Sequence, residues 1–165
     1  MEQPISFFAA LAVSTIAVYT DTKRGLIPNY LTFPAMMVGI GLNTAVGGWE
    51  GLGFASQGLA LGLGLLLLPF LFGGMGAGDV KLMAAIGAFL GPQLVLQAFI
   101  FGALMGGAVA LLIIIRTHGW FSVHLALFGG WRRFFATDSP TSMASFPYAA
   151  AMWVGVVVST SAIWV

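Results

Sequence analysis

Long uncharged, apolar stretches make up most of the chain, and short polar or glycine-rich breaks separate them. A helix needs about 20 apolar residues to cross a hydrocarbon core about 30 Å thick. The stretches are continuously apolar, whereas the strands of a membrane barrel alternate between apolar and polar positions. The pattern therefore predicts an all-α membrane protein. Its six predicted transmembrane helices lie at residues 3–20, 29–48, 52–73, 80–90, 93–115 and 146–165.

The border between the fourth and fifth predicted helices is set by Gly91 and Pro92. Residues 82–115 carry no charge, and as a single helix they would be about 51 Å long, well beyond the thickness of the hydrocarbon core. Proline lacks a backbone N–H and clashes with the preceding helical turn. We therefore expect a break there, with a short helix before it and a longer one after it.

Glycine is abundant and recurs at the spacing of one helical turn. Small residues four positions apart on a membrane helix let a neighbouring backbone approach closely. We therefore expect close helix contacts at such pairs. The pairs are Gly58/Gly62, Gly87/Gly91 and Gly102/Gly106.

The composition excludes several classes of protein. Of the 165 residues, 59% are hydrophobic and only 7% are charged, against about 25% charged residues in a typical soluble domain. The net charge of +1, with no basic block, gives no basis for nucleic-acid binding. The chain has no cysteine, which excludes disulfides and thiolate metal sites. We expect no metal, no cofactor and no nucleic-acid partner.

The basic residues give the orientation. With six helices, every lysine and arginine falls in a loop on one side, and the positive-inside rule makes that side cytoplasmic. The N-terminus is then outside, and residues 1–165 form one multi-pass domain of the cell inner (cytoplasmic) membrane, with lipid around it. Association into a homo-oligomer is left open. The six basic residues are Lys23, Arg24, Lys81, Arg116, Arg132 and Arg133.

The stretch 117–145, between the fifth and sixth helices, mixes aromatic side chains with arginines and histidines. Such a mixture suits the headgroup layer of a membrane. We interpret the stretch as an interfacial or re-entrant segment on the cytoplasmic side. A contact with a partner or substrate is the alternative.

Two carboxylates are the candidates for chemistry, because an ionisable group near the membrane is costly and calls for a function. Asp21 ends the first predicted helix and Asp79 begins the fourth, so both lie at cytoplasmic helix ends and can face each other. Two carboxyl groups that share a site can hold one proton between them. One can then activate a water while the other donates to a carbonyl oxygen, which is amide hydrolysis without a metal.

Other roles stay open for the same two residues. Each could mark a helix boundary with a local counter-ion, since Lys23 and Arg24 follow Asp21, and Lys81 follows Asp79. An acid in the first turn of a helix is also favoured on structural grounds alone. As a further functional alternative, a small proton- or cation-coupled transporter could use the two aspartates as a relay.

Three segments resemble the type IV prepilin peptidases, a family of intramembrane aspartic proteases. Residues 76–82, GAGDVKL, are similar to the family's GxGD motif. Residues 21–32, DTKRGLIPNYLT, are similar to its first-aspartate region, and residues 146–151, FPYAAA, to the start of its last helix. These segments cover a minor part of the chain, and over the rest the resemblance lies in the six-helix layout.

The resemblance implies that Asp21 and Asp79 are the catalytic residues. Two roles are open for Lys81. It either binds an acidic residue of the substrate or anchors the fourth helix at the cytoplasmic surface. The residues that the resemblance implies for the motif and for positioning the substrate are Gly76, Gly78, Lys81, Pro28 and Asn29.

The resemblance also implies a substrate, a prepilin or pseudopilin precursor whose short basic leader is removed at the cytoplasmic face. Larger members carry a further domain with paired CxxC zinc ligands and methylate the product. The absence of cysteine predicts cleavage without a zinc-binding methyltransferase domain. In this respect the chain resembles the short, stand-alone members that serve tight-adherence (Flp) pili, or the archaeal preflagellin peptidases.

Overall fold

The computed structural model describes residues 4–73, 75–128 and 148–161, and every regular element in those residues is a helix. The predicted all-α class is therefore confirmed. The four helices are α1 (Pro4–Arg24), α2 (Asn29–Leu71), α3 (Ala77–Phe128) and α4 (Tyr148–Ser161).

Three stretches of helix in the described residues are long and apolar enough to cross a membrane, namely Pro4–Arg24, Asn29–Leu71 and Ala77–Val109. The stretch Ala149–Ser161 is apolar but shorter. The structure thus gives three long candidates and one short one where the sequence predicted six separate helices.

Two glycines interrupt the long helices close to the borders that the sequence predicted. Gly48, inside α2, has φ 58° and ψ −132°, and Gly91, inside α3, has φ 78°. A positive φ of this kind is open to glycine and costly for most other residues. Gly48 separates residues corresponding to the second and third predicted helices, and Gly91 separates the fourth and fifth.

The contacts of α2 show that it folds back at Gly48. Before that glycine, Ile27 and Gly39 approach Gly78 and Ala88, so the chain runs in the same direction as the start of α3. After Gly48, Gly58 approaches Gly87 and Gly62 approaches Met83, so this half of α2 runs opposite to α3. Of the described helix pairs, α2 and α3 form the largest interface. The beginning of α3 therefore lies between the two halves of α2.

The close approaches occur at the glycines whose spacing predicted them. A Cβ added at Gly58 would overlap the carbonyl oxygen of Gly87, and one added at Gly62 would overlap that of Met83. Between α3 and α4, a Cβ at Gly102 would lie 3.1 Å from the carbonyl oxygen of Ala151. These glycines let the helix backbones pack directly against one another, which is a main source of stability in lipid.

The first part of α3 forms the centre of the fold. All residues from 82 to 90 are buried, and a helix that is apolar all round is suited to such a position. Helix α4 packs on the later part of α3, and the Trp153 indole N–H donates to Thr15 Oγ1 of α1 at 3.0 Å. The largest fully buried side chains in this segment are Leu82, Met83, Ile86 and Phe89.

The buried amide of Asn43 compensates for Pro92. Proline cannot donate to the carbonyl four residues before it, which here is the carbonyl of Ala88. The Nδ2 atom of Asn43 donates to that carbonyl oxygen at 2.9 Å and lies 3.2 Å from the carbonyl oxygen of Phe89. A side chain of α2 thus satisfies the backbone that the break in α3 leaves without a donor, as the membrane interior requires.

Two helices extend well beyond their predicted ends. Helix α1 continues past residue 20 to Arg24, because the glycine that ends the helix is Gly25, with a positive φ. Helix α3 continues past the predicted end at residue 115 to Phe128, so the first part of the stretch 117–145 is helical. The remainder of that stretch, and the ends of the last predicted helix, lie outside the described residues.

We predict that Asn43→Leu destabilises the protein by about 1–3 kcal/mol, because a buried carbonyl loses its donor. Thermal unfolding of the purified protein in detergent measures the effect. Thr44→Val is the matched control, since the Thr44 hydroxyl donates only within its own helix, to Ile40 at 2.7 Å. Equal stability of Asn43→Leu and the control would contradict the compensating role.

Candidate active site

The end of α1 places Asp21 beside a tight turn. Asp21 lies in the last helical turn, and the N–H of Gly25 donates to its backbone carbonyl at 2.7 Å. Gly25 has φ +64°, the left-handed conformation in which glycine commonly ends a helix. The chain therefore leaves α1 abruptly, and the half-buried side chain of Asp21 lies next to the connecting loop.

The connection from α1 to α2 is short and is fixed by Pro28. Pro28 caps the N-terminus of α2 with φ −75° and ψ 143°, and its carbonyl accepts from the N–H groups of Leu31 at 3.1 Å and Thr32 at 3.4 Å. Proline is well suited to a helix start because its φ is already restricted. The loop thus has little freedom between Gly25 and the first turn of α2.

Asp79 lies in the first turn of α3 and caps it. The N–H of Asp79 donates to the Gly76 carbonyl at 3.1 Å, and the N–H of Gly76 donates to Asp79 Oδ2 at 3.3 Å. This is the half of a capping box in which the acidic side chain reaches back to the start of the helix. Asp79 therefore has the helix-capping role that its position in the first turn predicted. A single long hydrogen bond uses little of the acceptor capacity of a carboxylate.

Gly78 is the point at which the two loops meet. A Cβ added there would lie 3.0 Å from the Ile27 Cβ and 3.3 Å from the Ile27 carbonyl oxygen. A side chain at position 78 would therefore displace the loop that follows Asp21. The absence of a side chain at the second glycine of the GxGD motif therefore lets the ends of α1 and α3 come together.

The two aspartates line one cavity of about 500 Å³ at the C-terminus of α1 and the N-termini of α2 and α3. Asp79 is only 9% exposed, and Asp21 is half-buried. All seven residues singled out in the sequence line this cavity. They are Asp21, Pro28, Asn29, Gly76, Gly78, Asp79 and Lys81.

Lys81 makes two contacts with α2. Its Nζ donates to Asn29 Oδ1 at 2.9 Å and lies 5.2 Å from the centre of the Phe33 ring. Lysine over an aromatic face is a favourable cation–π arrangement. The ammonium group is thus held by the beginning of α2 as well as lining the cavity.

The sequence reasoning missed five residues of the lining. It had used Arg24 for the orientation of the chain and as a local counter-ion of Asp21. Arg24 follows Asp21 by three positions and so shares its helix face. The contribution of Ile27 depends on the contact with Gly78, which no local pattern reveals. The five missed residues are Arg24, Gly25, Leu26, Ile27 and Ala77.

In the described part of the chain, no group of three or more histidine, aspartate or glutamate side chains is placed to hold a metal ion. The sidewalls of the cavity carry two acidic groups, Asp21 and Asp79, and two basic groups, Arg24 and Lys81. Two carboxyl groups in one cavity are suited to act as an acid and a base.

We predict that Gly78→Val destabilises the protein by about 1–3 kcal/mol, because the added side chain forces the loop away from α3. Gly64→Val is the matched control, since an added Cβ at Gly64 meets nothing within 4 Å. Both variants replace a helical glycine by valine, so a lower unfolding temperature of Gly78→Val than of the control reports the contact with the loop. A Gly78→Val protein as stable as the control would contradict the close approach.

Comparison with known proteins identifies the family. A family model described as the type IV leader peptidase family matches residues 8–111, a range that contains both aspartates. A segment of 41 residues is 51% identical to a protein named prepilin peptidase EppA from Methanothermobacter thermautotrophicus, and it covers 25% of this chain and 11% of that protein. No solved structure matches. Because the family model covers more than half of the chain, the chain belongs to the type IV leader peptidase family.

Proposed function

We propose that the protein is an intramembrane aspartic endopeptidase that removes the short leader peptide of type IV prepilin-like precursors. The observation that carries the proposal is the shared cavity of Asp21 and Asp79, two carboxyl groups from helices far apart in sequence. Membership of the type IV leader peptidase family supports the class of substrate. A prepilin or pseudopilin precursor is therefore the partner polypeptide.

The reaction uses the two aspartates as one acid–base unit. The ionised carboxylate takes a proton from water, and the water oxygen attacks the carbonyl carbon of the peptide bond while the protonated carboxyl donates to the carbonyl oxygen. The tetrahedral intermediate then collapses. The leaving amine takes a proton from the carboxyl that had accepted it from water, and the other carboxyl regains its proton. The products are a free carboxylic acid and a free amine, with no covalent enzyme intermediate.

We place the cavity at the cytoplasmic face of the cell inner membrane. Arg24 and Lys81 line the same cavity as the two aspartates, and the positive-inside rule assigns clustered basic residues to the cytoplasmic side. With breaks at Gly48 and Gly91, the chain crosses the membrane six times and its N-terminus is outside. A substrate leader in the cytoplasm then reaches the cavity directly.

The small-transporter alternative is not favoured by the family match. Both functions would use Asp21 and Asp79, since an ion relay also needs ionisable groups in a wet cavity. They differ in their product, because only the peptidase yields a shortened polypeptide. The following experiment therefore separates them.

We predict that the wild-type protein removes the leader of a co-expressed Flp-type prepilin and that Asp21→Asn and Asp79→Asn do not. Each substitution removes an ionisable carboxyl while keeping the size of the side chain. Because residues that act as one unit lose most of the activity on a single change, both variants are expected to lie at background. Intact mass of the prepilin, with the membrane abundance of each variant, is the measurement.

Glu50→Gln is the control for loss of an acidic charge. Glu50 is exposed and is not among the residues of the cavity, so leader removal is expected to persist at the wild-type level. Cleavage by either aspartate variant would refute the two-carboxyl mechanism. Failure of the wild type to cut any of several prepilins would refute the proposed substrate class and bring the transporter forward.

A further inference from the structure

We propose that Lys81 is a positioning residue that sets the geometry of the catalytic cavity by binding Asn29 and Phe33, and that it does not bind substrate through its ammonium group. The proposal rests on the function proposed above for Asp21 and Asp79. It concerns how the two sides of their cavity are held together.

Two residues of α2 contact the ammonium group of Lys81. Asn29 supplies the acceptor, with 2.9 Å between Lys81 Nζ and Asn29 Oδ1. Phe33 supplies an aromatic ring whose centre is 5.2 Å from the same nitrogen. Residues four positions apart lie on one face of a helix, so Asn29 and Phe33 can hold a single ammonium group between them.

The position of Lys81 on α3 separates its role from that of Asp79. Residues two positions apart on a helix do not face each other. Asp79 reaches back to the N–H of Gly76 at the start of α3, whereas Lys81 reaches across to α2. The lysine therefore connects two helices, and it does not serve as a local counter-ion of the catalytic carboxyl.

The cavity needs such a connection because the contact between the loop after Asp21 and α3 is van der Waals packing, without a hydrogen bond or ion pair. The loop after Asp21 touches α3 at Gly78, which has no side chain with which to hold Ile27 in place. The bond from Lys81 to Asn29 lies just beyond this contact on both helices. It joins the first turns of α2 and α3 and so fixes the loop of residues 25–28 between them.

The kinetic test compares Lys81→Met, Asn29→Leu and the double variant in purified protein with a prepilin substrate. A displacement of about 1 Å at a catalytic group can cost about 100-fold in rate. We expect each single variant to lower kcat by about that factor, with KM within about twofold of the wild type. The double variant should be no slower than the slower single variant, because both changes break the same bond.

Two further variants sharpen this test. Glu50→Gln removes an exposed charge that is not part of the cavity lining, so its kcat should stay near the wild-type value. Lys23→Met removes a lysine that contacts Tyr19 on its own helix and is not part of the cavity lining. Its kcat should also be unchanged, which controls for the loss of one positive charge on this side of the membrane.

A second readout does not depend on peptidase activity. Amide hydrogen exchange of residues 25–27 reports how firmly the loop after Asp21 is held between the first turns of α2 and α3. We expect slow exchange in the wild type and about tenfold faster exchange in Lys81→Met. This result is expected even with a protein that cuts no prepilin, so it distinguishes failure of this proposal from failure of the proposed function.

Three results would overturn the proposal. In the first, Lys81→Met raises KM with kcat unchanged and Asn29→Leu behaves as the wild type, which would make Lys81 a substrate contact. In the second, the effects of Lys81→Met and Asn29→Leu multiply in the double variant, so the two residues act independently. In the third, the amides of residues 25–27 exchange equally fast with and without the Lys81 side chain.

Discussion

The contact between Gly78 and Ile27 is the constraint on which the rest of the site depends. Asp21 and Asp79 lie on helices separated by more than fifty residues, and each stands at a helix end beside irregular backbone. Only a glycine lets the loop after Asp21 approach the first turn of α3 to about 3.0 Å from where a Cβ would be. A cavity with both carboxyl groups on its wall follows from that approach.

A second constraint operates deeper in the molecule. Where a helix breaks in an apolar fold, other groups of the protein must supply hydrogen bonds to the backbone groups that the break leaves unpaired. Pro92 leaves the carbonyl of Ala88 without its usual donor, and the amide of Asn43 supplies one from the other helix. In water such a break would be hydrated at small cost, but the hydrocarbon region offers no substitute donor. Asn43 and Lys81 thus have related roles, since each joins α2 to α3 with a polar side chain.

Much of this arrangement could be predicted from the sequence because its determinants are local. Continuous apolarity gives the helical class, Pro92 gives the break in α3, and the glycine-aspartate turn marks the start of that helix. The bond from Lys81 to Asn29 could not be predicted, because it joins residues 52 positions apart and depends on the fold of α2 around α3. The continuation of α3 to Phe128 was also missed, since composition at the membrane surface does not mark a helix end.

The carboxylate of Asp79 caps α3 and also lines the cavity that contains Asp21. The central claim is that these two side chains share one site. In the cysteine-free chain, the pair Asp21→Cys and Asp79→Cys should be joined by a short bifunctional thiol reagent. The pair Glu50→Cys and Asp79→Cys should not be joined. Cross-linking of the first pair alone is the result we predict, and equal reactivity of the two pairs, or none for the first, would contradict the shared site.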